Sequence, residues 1–385
     1  MKIPEQFDSI RPFEPEELPE VFERLLEDAQ FTEVLEAVFP SVPLDLLRKK
    51  IKDCETNLEF QLNVCYGFIR DLLSKASTSC EMECSAIDKK GRYTFVSNHR
   101  DIVLDSAILA FLLVNNGFES TCEIAIGDNL LAAPWIKDLV RVNKSFIVKR
   151  SAAMREMLIN SKEMSEYMHF VIAEKHDNIW IAQREGRAKD SDDRTQESII
   201  KMMAMGGKGD TGERLSALNI VPLSISYEYD PCDYLKAEEF QLKRDVEGWK
   251  KSREDDVFSM KTGILGYKGA IHYECGPCIN SFIEKLDPMM PKSEFFKAVS
   301  THIDKEIHGH YKLFGSNLVA FDILNSGKDL ERFYSDKDKK AFLNYLDGQM
   351  AKINISGKDD DFLYEKMLVM YANPTKNKIA ANGSI

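Results

Sequence analysis

Between residues 92 and 280 the chain repeats one texture: a short β-rich run, a helical stretch, then another β-rich run. RYTFVSN, CEIAIGD, KSFIVKR, NIWIAQREG, LNIVPLSISYEYD and GAIHYECGPCI are the strand candidates. DSAILAFLLVNNG, APWIKDLVRVN, MREMLINSKEMSEYMHFVIAEK and DRTQESIIKMMAMGG space their apolar residues as helices do. Strands separated by helices join one sheet as mostly parallel neighbours, because each crossover carries the chain back to its starting edge. The expected fold class is therefore α/β, a mostly parallel sheet flanked by helices. The loops that leave such strands collect at one edge, and that edge is where chemistry is expected.

The flanks read differently. Residues 1–87 form a helical N-terminal region, with PEELPEVFERLLED opening on Pro and acids as a helix start should. Residues 88–280 form the α/β domain. Residues 281–385 are helical again and end in a frayed tail, ANPTKNKIAANGSI. With 44% hydrophobic and 30% charged residues the chain is globular, and its net charge of −12 speaks against nucleic acid as a partner. MKIPEQFDSI holds no apolar signal region, so the eight scattered cysteines are expected as free thiols in a reducing cytosol. The apolar run from Ala107 to Val114 falls far short of the roughly 20 residues a membrane span needs, so membrane contact should be peripheral.

VSNHRDIVLD is the stretch that carries chemistry. His99-Arg100-Asp101 imitates the catalytic tripeptide of a protein kinase, but Ser106 stands where a kinase has its metal-binding Asn. No G-x-G-x-x-G precedes it and no D-F-G follows. The other reading uses His99 as a base. A neutral imidazole takes a proton from an alcohol when a carboxylate fixes its tautomer and stabilises the cation that forms. Asp105, where a helix begins, and Asp101 are both placed to be that carboxylate. No G-x-S-x-G nucleophile elbow competes with them.

Cations gather on the neighbouring units. Lys137, Arg141, Lys144, Lys149 and Arg150 lie within one helix–strand unit, and Arg184, Arg187 and Lys189 follow another strand. Parallel strands would bring both groups to the edge that carries His99. A concentrated positive site in an acidic protein needs an anion, and phosphate suits it. Lys137 and Lys144 read as ordinary solvated charge, and so do His308 and His310. Cys275-Gly-Pro-Cys278 matches a redox pair, but Glu274 precedes it and no thioredoxin unit leads into it. Its spacing to Cys80 and Cys84 does not suit zinc, and GGKGDTG lacks the Ser or Thr of a phosphate loop.

Taken together, these segments resemble the glycerol-3-phosphate and lysophospholipid acyltransferase superfamily, which carries four ordered blocks. The first is Asn-His, four residues, then Asp; here Asn98-His99 is followed by five residues before Asp105. The second ends in a Phe-Ile-x-Arg type; here NKSFIVKR supplies Phe146, Ile147, Lys149 and Arg150. The third is Pro-Glu-Gly and an Arg; here it is Arg184-Glu185-Gly186-Arg187. The fourth is a strand with Val-Pro, here Val221-Pro222.

The resemblance covers about residues 88–280 and implies a glycerolipid acyltransferase fold. It implies His99 as base with Asp105, or Asp101, as its partner. It implies Asn98, Arg100, Phe146, Lys149, Arg150, Arg184, Glu185, Gly186, Arg187, Lys189 and Pro222 around a phosphate-bearing glycerol or lysolipid acceptor. No bound cofactor or metal is implied; acyl-CoA or acyl-acyl-carrier protein is the co-substrate, and the carrier protein a candidate partner. The expected location is cytoplasmic, peripheral to the inner face of the membrane. A non-catalytic lipid- or phosphate-binding protein on the same fold is the alternative.

Overall fold

The computed structural model of the chain describes residues 2–131, 133–150 and 153–385. Seven strands form one sheet: β1 (Ser77–Glu83), β2 (Thr94–Ser97), β3 (Cys122–Gly127), β4 (Ser145–Val148), β5 (Asn178–Ala182), β6 (Ile220–Tyr227) and β7 (Gly269–Cys275). Their order is β1-β7-β6-β2-β5-β3-β4. Only β6 and β7 pair antiparallel; the other neighbours are parallel. The fold is the α/β class with a mostly parallel sheet flanked by helices.

β2 shows why TFVS is a strand although it does not alternate. All four residues are buried, because β2 is a central strand covered on both faces. Phe95 packs into the core on one face, with Leu109 and Leu113 of helix α1 (Leu104–Asn115). Val96 packs into the core on the other face, with Met164 and Met168 of helix α2 (Met154–Phe170). Pro222 sits inside β6 opposite Val96, which a central strand rarely tolerates. It is accommodated because β7 pairs only as far as Cys275, opposite Leu223. The Pro222 carbonyl takes the N–H of Gly276 just beyond β7, so the missing N–H falls where that ladder has ended.

The strand order reverses around β2. From β2 the chain goes outward to β3 and β4, returns to β5 beside β2, and then crosses to β6 on the other side. In open α/β sheets ligands bind where the strand order reverses, at the carboxyl ends of the strands; here that is the end of β2 that leads into His99.

Two expectations need correction. The first 87 residues are not all helical: β1 closes one edge of the sheet, paired with β7. STSCEME carries little strand signal because it is a half-exposed edge. The tail is also not frayed, since helix α5 runs Asp360–Asn382. The Asn373 side chain donates to the Asp190 carbonyl at 2.8 Å, and Thr375 and Asn377 are buried, so the body of the protein holds the helix in place.

Candidate active site

The base candidate is assembled by one turn of chain. β2 ends at Ser97, and Asn98 clamps the exit. Its side chain accepts the N–H of Ile225 at 2.8 Å and donates to the Ile225 carbonyl at 2.9 Å. Buried completely in that pair, Asn98 holds the loop to β6 and has no surface to offer a ligand. His99 follows, its ring 14% exposed and its Nδ1 2.8 Å from Asp105 Oδ2. The Trp180 ring stands edge-on beside it, centroids 5.9 Å apart.

Asp105 is heavily engaged. The same Oδ2 accepts the N–H groups of Arg100 at 2.7 Å and Asp101 at 3.0 Å. Oδ1 accepts the Tyr227 hydroxyl at 3.1 Å. Tyr273 donates to the Asp105 carbonyl at 3.1 Å. At 1% exposure, a carboxylate with this many donors is locked in one orientation. It receives the Nδ1 proton of His99, which leaves Nε2 with a free lone pair.

Asp101 does something else. Its Oδ1 accepts the N–H groups of Val103 at 2.9 Å and Leu104 at 2.8 Å. Those are unpaired donors at the start of α1, so Asp101 is a helix cap. Burial first, then the charge of Asp105, push its carboxyl up. The fifth residue between His99 and Asp105 is thereby explained: the chain makes a capped turn before the helix, and Asp105 still reaches the imidazole.

Arg100 turns inward, toward Tyr371 and a small cavity that it lines with Asn98. It is 8% exposed, with Nη2 3.5 Å from Asp230 and Nη1 4.0 Å from Asp193. Lys236, also buried, pairs with Asp230. Burial alone would raise the Asp230 carboxyl, but Lys236 and Arg100 outweigh it and hold it down at about 2. Tyr371 of α5 accepts the N–H of Asp230 at 3.0 Å and donates to Asp233 at 2.7 Å. The loop below His99 is thus tied to the C-terminal helix through buried ionic and hydrogen-bonded groups.

The remaining candidates separate into those at the edge and those elsewhere. Phe146 is a core residue, 0% exposed, its ring tilted against Tyr167 with centroids 5.4 Å apart; the sequence placed it at the acceptor, and burial excludes contact. Pro222 is likewise buried inside β6. Lys149 is committed to Glu163 at 2.9 Å and Ser9 at 2.7 Å. Arg150 pairs with Glu185 at 2.7 Å, which joins the exits of β4 and β5. Gly186 adopts φ +68°, a left-handed turn that favours glycine. Arg184 and Arg187 follow β5, both half-buried. Arg187 makes no ion pair among the described residues, yet its charge reaches Asp101 and Asp230. Lys189 pairs with Glu239.

Two residues taken for solvated charge are buried. Lys144 pairs with Asp177 at 2.6 Å. His308 lies with Nε2 2.8 Å from the Asp193 carbonyl, its imidazole pushed down to about 4 by burial. Tyr227, Tyr273 and Trp180 escaped the sequence reading. They face the dyad from three different strands, and no local pattern marks them. Cys275 ends β7 and Cys278 follows it, and burial pushes both thiols up, the reverse of an activated redox pair.

An imidazole–carboxylate pair thus lies where the strand order of an α/β sheet reverses, with guanidinium groups on the adjoining loop. Residues 81–225, which run from β1 into β6 and include His99 and Asp105, match the Acyltransferase family model. No curated protein matches the chain as a relative. Among solved structures, the 1-acyl-sn-glycerophosphate (LPA) acyltransferase PlsC from Thermotoga maritima is similar at 11% identity and a TM-score of 0.35, over 75% of this chain and 94% of that one.

Proposed function

We propose that the protein is an O-acyltransferase of phospholipid synthesis, moving a fatty acyl group from acyl-CoA or acyl-acyl-carrier protein to the hydroxyl of glycerol 3-phosphate or a lysophospholipid. The observation that carries this reading is the 2.8 Å contact of His99 Nδ1 with a buried, fully engaged Asp105. In the reaction, Nε2 takes the proton of the acceptor hydroxyl as its oxygen attacks the thioester carbonyl. The new C–O bond forms, the C–S bond breaks, and the proton passes from the imidazolium to the departing thiolate. Asp105 stabilises the imidazolium between those steps. No acyl-enzyme is needed. The test is turnover of radiolabelled glycerol 3-phosphate and of lysophosphatidate with each donor; absence of product with every pair would end the proposal.

Arg187 is the residue assigned to the acceptor phosphate, because it is cationic, half-buried and without an ion pair of its own. Its replacement by Ala should raise the acceptor KM by roughly 10- to 100-fold, the worth of a charged hydrogen bond, and leave the donor KM within about twofold. Equal changes in both would remove it from that role.

Peripheral contact with the cytoplasmic face of the membrane also belongs to this reading. Among the described residues no helix is long and apolar enough to cross a membrane. The first turns of α2 expose Met154, Met157, Leu158 and Ile159, directly after the exit of β4. Co-sedimentation with anionic phospholipid vesicles should therefore fall about tenfold or more in Met157→Asp/Leu158→Asp. Unchanged sedimentation would place any lipid contact elsewhere.

A further inference from the structure

β6 and β7 are joined by two helices, α3 (Asp233–Asp245) and α4 (Arg253–Leu265). Both lie beyond the segment that matches the acyltransferase family, yet α4 reaches the turn that carries His99. Its contact there is Gly263, a buried glycine near the end of the helix. Glycine weakens a helix interior, because it gives up more backbone freedom than any other residue. What it touches explains its place. A Cβ built on Gly263 would stand 2.1 Å from Asp101 Oδ2 and 3.2 Å from Asp101 Cγ, and real Cβ atoms keep at least 3.0 Å from their neighbours.

Neither side of this contact gives way freely. Asp101 Oδ1 is held by the Val103 and Leu104 amides. The carboxylate is planar, so turning Oδ2 aside pulls Oδ1 off the start of α1. On the other side, the end of α4 is fastened. The buried Lys268 ammonium donates to the carbonyls of Ile264 at 3.1 Å and Gly266 at 2.7 Å, a cation on the carbonyl end of a helix. Ile264 packs against the core that holds Phe95. Gly266 lies so near Pro231 that a Cβ there would stand 2.3 Å from the proline Cβ. From Asp101 the path to the base is short. Its N–H donates to Asp105 Oδ2 at 3.0 Å, and the same oxygen meets His99 Nδ1 at 2.8 Å.

We propose that Gly263 is a positioning residue for the dyad: the bare face it gives α4 seats the Asp101 carboxyl, and through Asp101 it sets where Asp105 meets the His99 ring. It rests on the reading of His99 as the base. α4 acts as a backstop for the turn, and the connection between β6 and β7 belongs to the catalytic geometry.

Gly263→Ala in the full chain tests this, with two readouts. One is steady-state kinetics. The other is the ring-nitrogen chemical shifts of protein carrying isotope-labelled histidine, where His99 is assigned by its absence from His99→Ala. A methyl that displaces the turn by about 1 Å should lower kcat by about 10²-fold, leave the KM of both substrates within about twofold, and move the His99 ring nitrogens away from their wild-type shifts. Adding Asp101→Ser to Gly263→Ala should return kcat to within a few-fold of wild type and restore those shifts. Serine caps a helix about as well as Asp and stops one atom short of Oδ2. Should Gly263→Ala alone unfold, the double variant decides. As a plain helix residue Gly263 would behave oppositely: Ala would raise the unfolding temperature and leave kcat and the ring nitrogens unchanged. That result overturns the positioning role, and so does a folded double variant that keeps the loss. The nitrogen shifts are read without turnover. Shifts that follow the expected pattern in a protein with no acylation uphold the positioning and end the enzyme reading. Acylation that needs His99 but ignores Gly263 does the reverse.

Discussion

Replacing His99 by Ala is expected to lower kcat by about 10²–10⁴, the usual contribution of a positioned general base, and to leave the KM of both substrates nearly unchanged. The substitution is structurally mild. The ring is near the surface and packs edge-on against one partner, Trp180, so the fold does not lean on it. The Asp105 carboxylate keeps two backbone donors and a tyrosine hydroxyl when the imidazole is gone. Activity should therefore be lost without loss of the cooperative unfolding transition. A folded variant that retains more than about a tenth of wild-type kcat would show that the imidazole is not the base.

Asp105→Asn should cost about as much or more. An amide preserves the shape but reverses one end of the hydrogen-bond pattern. If its oxygen keeps the N–H groups of Arg100 and Asp101, its NH₂ group faces the Tyr227 hydroxyl. If it flips, donors face donors at two amides. In either case the negative charge that stabilises the imidazolium is lost, and an amide nitrogen toward His99 would force the proton onto Nε2. In a buried carboxylate–imidazole pair the wrong tautomer is worth about 10⁴ in kcat.

Asp101→Asn is the control that the same turn provides. Asn caps helices about as well as Asp, and the Val103 and Leu104 amides need only an oxygen. Turnover within a few-fold of wild type and a stability change below about 1 kcal/mol are expected. The two variants, assayed side by side under saturating donor, decide which acid serves the histidine; a larger loss in Asp101→Asn would hand the role to that residue.

The order of the elements was legible because six of the seven strands lie in short β-rich runs separated by helical stretches. β1 was not, because an edge strand of Ser, Thr and Glu has no period that betrays it. The dyad's histidine was legible from its place after a strand. Its partner was not, since two aspartates stood within reach and only the cap geometry at Val103 and Leu104 separates them. Phe146 and Lys144 show the opposite failure. A position in a motif says which loop a residue belongs to, but not whether its side chain turns to the site or to the interior. Phe146 turns to Tyr167 and Lys144 to Asp177, residues 21 and 33 positions away by their numbers. The tyrosines that hold Asp105 come from β6 and β7, more than a hundred residues from it, and long-range contacts of this sort leave no mark in a local window.

The link from Asp230 to Tyr371 bears on how such a molecule is made. The two residues are 141 positions apart, and ribosomes add about 5–20 residues per second, so roughly 7–28 s separate their synthesis. During that interval β7 is added to the sheet, while the ion cluster beneath the histidine loop still lacks the phenol that completes it. The cluster is therefore completed only when the distal helix docks, and not when the sheet closes.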